Sequence, residues 1–383
     1  MRFRVPRIYQ NHSLRSVIFF LMAGAIFQCR AESKKLSLTF VGDLMSHITQ
    51  IDGAYDKKCK CYNFEPSFAQ VTSVLSAADF TIGNLETTLP GKNYSGYPQF
   101  GVPDSYLDAV KNAGFDMLVT ANNHSMDKGA NALIRTIDKI REAGLLQTGT
   151  FRSIEEYEKN KVLFHEIKGF KLAFLNYTYG TNEIPVPPAV KVNMTKDTAQ
   201  IESDIQFAKT GNPDFIIVLY HFGDEYKLQP NEFQKKMAKI AFDAGADIII
   251  GSHPHYIQPY EFVQPDAEKV HPRKFIAWSL GNFISGQKQL LTRGGLILHL
   301  ELEKIDDEPA FISRVSDNLV WVDVKYEGKK MRHLAQPVPN MDSLTAKEIK
   351  KLDSKMVEFA RQMNKHLTKS RQAAEAKAKN TDS

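Results

Sequence analysis

The stretch ADIIIGSHPH, residues 246–255, carries the clearest fold signal in this chain. Its apolar, β-branched half predicts a buried strand, and the Gly-Ser pair that follows predicts that the strand ends in a loop. His253 and His255 then stand at the mouth of that strand, and Pro254 restricts the backbone between them. Residues two apart in an extended chain project the same way, so the pair suits a metal site. Two solvated loop histidines are the alternative interpretation.

The rest of the chain alternates apolar, strand-like stretches with helix-like stretches that often end at glycine. The predicted strands are 36–42, 79–83, 115–120, 162–167, 171–177, 214–220, 246–250, 275–279, 296–303 and 319–326. The predicted helices are 64–77, 104–113, 129–143, 195–209 and 230–244. Parallel β-α units combined with a hairpin at 162–177 predict a layered α/β fold, with one sizeable sheet or two sheets packed together.

Composition limits the class of protein. The chain has 383 residues, of which 43% are hydrophobic and 24% charged, which predicts a globular protein with one large domain or two smaller ones. The net charge of +5 comes partly from the two ends of the chain. No basic stripe with interleaved aromatic residues is present, which argues against nucleic-acid binding.

Residues 1–31 have the features of an export signal, with arginines followed by an apolar run at 16–27 that is short for a membrane span. Cleavage after Ala31 ranks first, lipidation of Cys29 second and retention as an N-terminal anchor third. The protein is therefore expected in the periplasm or at the cell surface. Cys59 and Cys61 would be the remaining cysteines, and they suit a local disulfide or a weak soft-metal site without a role in function.

The C-terminal segment differs from the rest of the chain in composition and in its predicted structure. Residues 343–378 favour a lysine-rich helix in which Leu352, Met356, Phe359 and Met363 share one face, and packing on the domain is expected, with contact to a membrane surface as the alternative. The predicted organisation is an export signal at 1–31, the main domain at 32–310, a C-terminal strand and linker region of that domain at 311–342, and the helix with a polar tail at 343–383.

Polar side chains collect where the predicted strands end, which is where open α/β sheets bind ligands. These residues are Asp43, Asn84, Glu86, Asn122, Asn123, His124, Asp127, His221, Asp224, Glu225, Ser252, His253, His255 and Asn282. Singly, each has a structural explanation; Asp43 can cap a helix and His221 can be a core histidine. Together they occupy six strand ends on one edge, and burying that much polarity is costly unless something binds there.

The residue types indicate which kind of ligand would bind there. Carboxylate, amide and imidazole groups together suit one or two divalent ions of Mn, Fe or Zn, whereas the cysteine count excludes zinc held by thiolates. Such ions polarise a carbonyl or phosphoryl oxygen and activate water for attack.

Six motifs, taken in order, resemble the CapA family of bacterial capsule synthesis or poly-gamma-glutamate biosynthesis proteins. They are GDLM at 42–45, GNLET at 83–87, NNHSMDKG at 122–129, HFGDEY at 221–226, GSHPH at 251–255 and SLGNF at 279–283. The resemblance covers about residues 36–300. Because the family is similar to calcineurin-like metallophosphoesterases, it implies a four-layer α-β-β-α sandwich of the metallo-dependent phosphatase-like type.

The resemblance also implies roles for individual residues. Asp43 and His255 would hold one metal, Asn123, His221 and His253 a second, and Glu86 would stand where the bridging carboxylate goes. His124 would be the proton donor or would stabilise the leaving group, and Asp127 would orient it. The remaining polar residues would contact the substrate or support the ligands; these are Asn84, Asn122, Ser252 and Asn282.

Two departures from the phosphoesterase pattern modify this expectation. Met45 stands where a histidine is expected, with His47 the nearest one, and Glu86 replaces the usual aspartate. Both changes are ordinary for CapA-like proteins. They predict a first metal site that is poorer in ligands or empty, and they argue against phosphatase activity.

Three functions are compatible with this chain. The first is an exported metal-dependent hydrolase or transferase acting on an amide-linked cell-envelope polymer such as polyglutamate, in which His124 protonates the leaving amine and Asp224 or Glu225 assists as acid, base or substrate contact. The second is a phosphoesterase acting on a small exported phosphoester. The third is a non-catalytic component of a capsule synthesis or export complex, which assists a membrane synthase and binds the polyanion electrostatically.

Overall fold

The computed structural model describes residues 33–263, 273–306 and 308–381, with side chains described as far as residue 376. The predicted export signal at 1–31 lies outside these residues. Within the described ranges, no helix combines the length and apolar character needed to cross a membrane.

The elements occur along the chain in an alternating order. The strands are β1 Ser33–Leu44, β2 Tyr55–Asp56, β3 Cys61–Tyr62, β4 Phe80–Leu85, β5 Met117–Val119, β6 Leu146–Thr148, β7 Thr150–Phe151, β8 Leu163–Ile167, β9 Phe170–Thr178, β10 Lys191–Val192, β11 Phe215–His221, β12 Ile248–Ser252, β13 Tyr260–Phe262, β14 Phe275–Ala277, β15 Asn282–Ile284, β16 Gly294–Ile305, β17 Phe311–Glu327 and β18 Lys330–Pro337. The helices are α1 Ile48–Ala54, α2 Glu65–Phe68, α3 Thr72–Leu75, α4 Asp104–Asn112, α5 Gly129–Glu142, α6 Ile154–Asn160, α7 Thr198–Thr210, α8 Glu232–Ala244, α9 Ala346–Ile349 and α10 Ser354–Thr381.

Most strands belong to two sheets. The first has the order β18-β17-β16-β1-β4-β5-β6, and β15 also pairs with β1. Strands β1, β4, β5 and β6 are parallel, whereas β16, β17 and β18 are antiparallel. The second sheet has the order β13-β14-β12-β11-β9-β8, with a parallel centre and antiparallel edge strands at both sides. The predicted hairpin at 162–177 is confirmed as β8 and β9.

Three apolar layers separate these elements. The central layer joins alternate residues of both sheets, such as Phe40 of β1 and Phe174 of β9, which shows that the sheets pack face to face. A second layer lies between the first sheet and helices such as α4, and a third lies between the second sheet and α7 and α8. The arrangement is the four-layer α-β-β-α sandwich that the resemblance implies.

One predicted helix, residues 64–77, is wrong in detail. The structure forms two short helices there, α2 and α3, separated at residues 69–71. The hydroxyl of Thr72 donates to the Phe68 carbonyl, 3.2 Å away, which competes with the backbone hydrogen bonds of a continuous helix. Phe68, Val71 and Leu75 are still buried, so the apolar pattern was a guide to burial but not to helix length.

The C-terminal part adds to the first sheet and then covers an end of the core. Residues 311–342, expected to be a strand followed by a linker, contain the paired strands β17 and β18. The helix α10 packs against β17 and β13, and its residues Met356, Phe359 and Met363 join the central apolar layer. Leu352 packs partly buried at the same place but precedes α10.

Cys59 and Cys61 form a disulfide in this structure. It joins the tip of a small hairpin between β2 and β3, and this tip is exposed. The disulfide is one of the two alternatives that the Cys-x-Cys spacing allows, and the thiols are therefore not offered to a metal here.

Candidate functional site

The polar residues at the strand ends meet at one place, where the two sheets adjoin. Asp43 is the next-to-last residue of β1 in the first sheet and His221 ends β11 of the second, and their side chains approach to 3.9 Å between Oδ1 and Nδ1. Glu86 directly follows β4, and its Oε1 lies 3.5 Å from His221 Nε2. All three side chains are fully buried.

Glu86 is the most unusual of these residues. Neither oxygen of its carboxylate receives a hydrogen bond from any residue in the described part of the chain, although both oxygens are buried. Burial first, and then the negative charge of Asp43, raises the pKa of Glu86 well above its ordinary value. A carboxylate in this setting needs a positive charge that the neighbouring side chains do not supply.

The ligand atoms around Glu86 fall into two groups of metal-binding geometry. One consists of Asp43, Glu86 and His255, and the other of Glu86, His221 and His253; within each group the atoms lie within 4.8 Å of one another. Glu86 belongs to both groups. Asn123 extends the second, since its Oδ1 lies 2.8 Å from His221 Nε2.

The two histidines of the stretch 246–255 reach these groups through an unusual backbone conformation. His253 and His255 both have positive φ values, 99° and 56°, which are rarely adopted by residues other than glycine. His253 Nδ1 is buried without a hydrogen-bond partner among the described residues. Burial, followed by the neighbouring imidazoles, lowers the pKa of His253 well below its ordinary value, so the ring is held in the neutral form that binds metals.

A network of amides and one hydroxyl supports the ligand side chains. Asn84 Nδ2 donates to Asp43 Oδ1 at 2.8 Å and lies 3.2 Å from His221 Nδ1. Asn122 Nδ2 donates to Asn84 Oδ1 at 3.1 Å. Ser252 Oγ lies 3.0 Å from His221 Nδ1. Contacts of this kind orient an imidazole and select its tautomer.

His255 is oriented in a similar way by Asn282. The Asn282 Oδ1 lies 2.9 Å from His255 Nδ1, which also lies 3.1 Å from Asp43 Oδ2. The amide nitrogen of Asn282 donates to three acceptors in the loop that follows it, including the Thr292 carbonyl at 2.9 Å. These bonds determine which end of the Asn282 amide faces the histidine.

His124 and Asp127 form a buried pair beside Glu86. The His124 Nδ1 lies 2.7 Å from Asp127 Oδ2, which also accepts the backbone N–H of Phe100 at 2.5 Å. A proton on Nδ1 suits this contact, because a carboxylate accepts hydrogen bonds, and it leaves Nε2 unprotonated. His124 Nε2 lies 3.9 Å from Glu86 Oε1, so this nitrogen is close to the two groups of metal-binding geometry.

The two acidic residues of the loop after β11 differ in position. Glu225 is exposed, yet its carboxylate forms a third group with His253 and His255, again with atoms within 4.8 Å. Asp224 is exposed too, and it belongs to none of the metal-binding groups in the described part of the chain. The structure thus brings one of the two predicted residues to the site.

The first motif contributes one ligand candidate. Met45 is buried, and His47 begins α1 with its Nδ1 accepting the N–H of Gly286 at 3.0 Å. His47 belongs to none of the three groups formed by described residues. The expected shortage of ligands near Asp43 stays a prediction, since Asp43 still forms a group with Glu86 and His255.

Sequence reasoning missed Tyr179 and Asn182, which lie in the loop after β9. The ring of Tyr179 is 4.5 Å from that of His253, and Asn182 Oδ1 accepts from Asn123 Nδ2 at 3.2 Å. Asn182 also has a positive φ of 49°. The only local signal was the turn-like Gly-Thr-Asn sequence at 180–182, which does not indicate what the turn contacts.

Comparison with known proteins identifies the family. A family model described as the bacterial capsule synthesis protein PGA_cap matches residues 37–287. The chain is 30% identical over 303 residues to the capsule biosynthesis protein CapA of Bacillus anthracis, and the match covers 75% of this chain and 68% of that protein. It is 27% identical over 312 residues to the PGA biosynthesis protein CapA of Bacillus subtilis (strain 168), and the match covers 75% of each.

The chain is also similar to solved structures, but at lower sequence identity. A calcineurin-like phosphoesterase, YfkN, from Bacillus subtilis has a TM-score of 0.42 with 13% identity, covering 89% of this chain and all of that one. A 5'-nucleotidase precursor from Thermus thermophilus also has a TM-score of 0.42, with 12% identity, and the match spans 86% of this chain and 59% of that one. The four-layer arrangement itself rests on the sheets and apolar layers described above. With its six motifs gathered where the two sheets adjoin and its family match over residues 37–287, the chain belongs to the bacterial capsule synthesis protein family PGA_cap.

Proposed function

We propose that this chain is an exported, metal-dependent hydrolase or transferase of capsule or poly-gamma-glutamate synthesis, which acts on an amide-linked cell-envelope polymer. Family membership and the names of the two CapA relatives support the polymer. The observation that carries the metal-dependent part is the Glu86 carboxylate, buried with no hydrogen-bond partner among the described residues.

The donor set fits a divalent ion. A buried carboxylate without a partner is strongly unfavourable, and a cation bound from outside removes that cost. Asp43, Glu86 and His255 would hold one ion, and Glu86, His221 and His253, together with Asn123, would hold a second. Mixed carboxylate, imidazole and amide donors suit Mn, Fe or Zn.

A bound ion of this kind polarises the scissile carbonyl and activates water for attack. Hydrolysis of an amide adds the oxygen of water to the carbonyl carbon, breaks the C–N bond and requires a proton on the leaving nitrogen. His124 Nε2 would take the proton that the attacking water loses and pass it to the leaving nitrogen, while Asp127 holds Nδ1 and fixes the ring. Asp224, in the loop after β11, is proposed as a substrate contact.

The location of the protein is also part of this proposal. A disulfide such as Cys59–Cys61 persists in oxidising compartments, which supports export through a signal at residues 1–31. The net charge of +5 favours contact with a polyanionic polymer. A membrane synthase or export complex would be the protein partner.

Bound metal per chain is the first measurement. The full chain, purified without chelator, should carry near-stoichiometric Mn, Fe or Zn by elemental mass spectrometry. The double change His253→Ala and His255→Ala should remove it. As a matched control, His165→Ala with His299→Ala removes two histidines that belong to none of the metal-binding groups of described residues, and metal should be retained.

Other outcomes would redirect the proposal. If no metal is bound and none can be loaded, the hydrolytic mechanism is wrong, and salt-sensitive polymer binding without turnover would identify an assembly component. If metal is bound but only a generic aryl phosphate is hydrolysed, and this activity is lost in His124→Ala, the protein is a phosphoesterase.

A further inference from the structure

An unbalanced negative charge stands at the entrance of the site. The Glu225 side chain is exposed, and within the described part of the chain it forms no ion pair with a lysine, arginine or histidine, although its carboxylate groups with His253 and His255. The Glu225 carboxylate therefore supplies a local negative charge at the entrance, and this charge attracts a cationic group of a ligand.

Tyrosine rings flank this carboxylate. Tyr179 lies 4.5 Å from the His253 ring and Tyr226 lies 6.1 Å from the His255 ring, measured between centroids. Both tyrosines remain substantially exposed, at 38% and 40%. Burial and then the charge of Glu225 raise the pKa of each hydroxyl to about 12, so both side chains are neutral near pH 7. Part of each side chain is therefore accessible at the entrance.

The loop that carries Glu225 is held by partly buried hydrogen bonds. The backbone N–H of Tyr226 donates to the Pro254 carbonyl at 2.8 Å. Gln258 Nε2 donates to the carbonyls of Lys227 and Gln229 at 3.1 and 3.0 Å. The Glu225 region is therefore attached to the histidine loop and ordered in advance of binding.

We propose that Glu225, Tyr179 and Tyr226 form a subsite for an ammonium group of the substrate. A carboxylate supplies charge-assisted hydrogen bonds to ammonium, and the faces of aromatic rings attract the same cation. This chemistry also indicates which end of the substrate enters the site, an inference that rests on the proposed function. A glutamyl polymer bears carboxylates along its length and one ammonium at its amino end, so the subsite selects that end for the metal centre.

Two binding measurements on the purified full chain test this subsite, and neither needs turnover. The first titrates n-butylammonium chloride, with n-butanol as the uncharged comparison, by ligand-observed NMR. The second titrates a short γ-linked glutamyl oligomer, with either a free or an acetylated amino end, by calorimetry. We expect the free-amine oligomer to bind at least about tenfold more tightly than the acetylated one. The change Glu225→Gln should abolish the difference, and Tyr226→Leu should reduce it.

Glu232→Gln is the matched control, because Glu232 is an exposed glutamate at the start of α8 that pairs with Lys235. It should retain the full preference for the free amine. Circular dichroism of each variant establishes that the fold is kept. Metal content is measured on the same preparations, and Glu225→Gln should retain its metal.

The outcomes separate this subsite from the proposed function. Butylammonium binding that depends on Glu225, without binding of either oligomer, supports the subsite and contradicts the polymer function. Equal binding of both oligomers, together with no preference for butylammonium over butanol, overturns the subsite and leaves the polymer function standing. Loss of metal in Glu225→Gln would place the carboxylate on the metal and would also overturn the subsite.

Discussion

Two buried carboxylates in this protein have opposite surroundings. Asp317 of β17 has a side chain that is only 2% exposed, and it accepts hydrogen bonds from Tyr260 Oη at 2.8 Å and from Arg371 Nε and Nη2 at 2.9 and 2.5 Å. Glu86, at the centre of the candidate site, is fully buried and accepts none from the described residues. The fold thus balances the charge of Asp317 but not that of Glu86.

We propose that the difference separates a structural carboxylate from a metal-binding one. Asp317 joins α10 to the sheet edge near β13, and the protein supplies all the partners that its charge requires. Glu86 is held among carboxylate and imidazole groups that share its need for a cation. A buried charge without an internal partner is the best physical indication that something external binds there.

The largest expected effect concerns the ion pair between Asp317 and Arg371. The change Arg371→Ala leaves the Asp317 charge buried without its main partner and should lower the free energy of unfolding by about 3 kcal/mol. Chemical denaturation measures this directly. Arg361→Ala is the matched control, because Arg361 is 71% exposed and pairs with Glu358 on the surface of α10, and its loss should be below about 1 kcal/mol. Equal losses in the two variants would remove the contrast between Asp317 and Glu86.

A slightly smaller effect is expected at Glu86. Adding Mn²⁺ at about 100 times its dissociation constant should raise the free energy of unfolding of the parent protein by about 2.7 kcal/mol, because the ion binds the folded state. In Glu86→Gln this gain should vanish, and the metal-free variant should be no less stable than the metal-free parent. Asp317→Asn should retain the full gain. A gain that persists in Glu86→Gln would show that the unpartnered carboxylate is not the metal ligand.

The smallest effect tests a polar group that lies near the site but has internal partners. Gln258 is fully buried, accepts from Gln234 Nε2 at 2.8 Å and donates to the loop that carries Glu225. Gln258→Ala should cost about 1–2 kcal/mol and accelerate amide exchange at residues 224–229, since it leaves buried groups unpaired. Its metal content should not change. Loss of metal would mean that satisfied groups near the site cannot be separated from the ligands.

Much of this architecture could be predicted from local sequence. The apolar run before Gly251 and its glycine-serine ending predicted β12, and the helix that ends before Gly245 has the expected left-handed C-cap there. The break within residues 64–77 was not predictable, because it depends on the Thr72 hydroxyl bonding to the Phe68 carbonyl rather than to water. Apolar spacing alone does not report that competition.

The candidate site also combines residues that could be predicted from local sequence with residues that could not. Most of its residues follow strand ends, and a strand end is a local feature that the sequence displays. Tyr179 and Asn182 escaped notice because their importance depends on where a loop lies after β9 pairs with β11. Asp224 and Glu225 are neighbouring acidic residues, and the conformation of their loop decides which of them reaches the site.

By itself, the sequence determined the types of the elements, their order and the presence of six polar strand ends, since backbone propensity and hydrophobic periodicity act over a few residues. Tertiary structure decided which side chains meet. Asp43 and His255 are 212 positions apart, and they touch because two separate sheets pack through one apolar layer. Whether a buried charge finds a partner is settled by that packing, which is why the isolation of Glu86 became visible only in the folded chain.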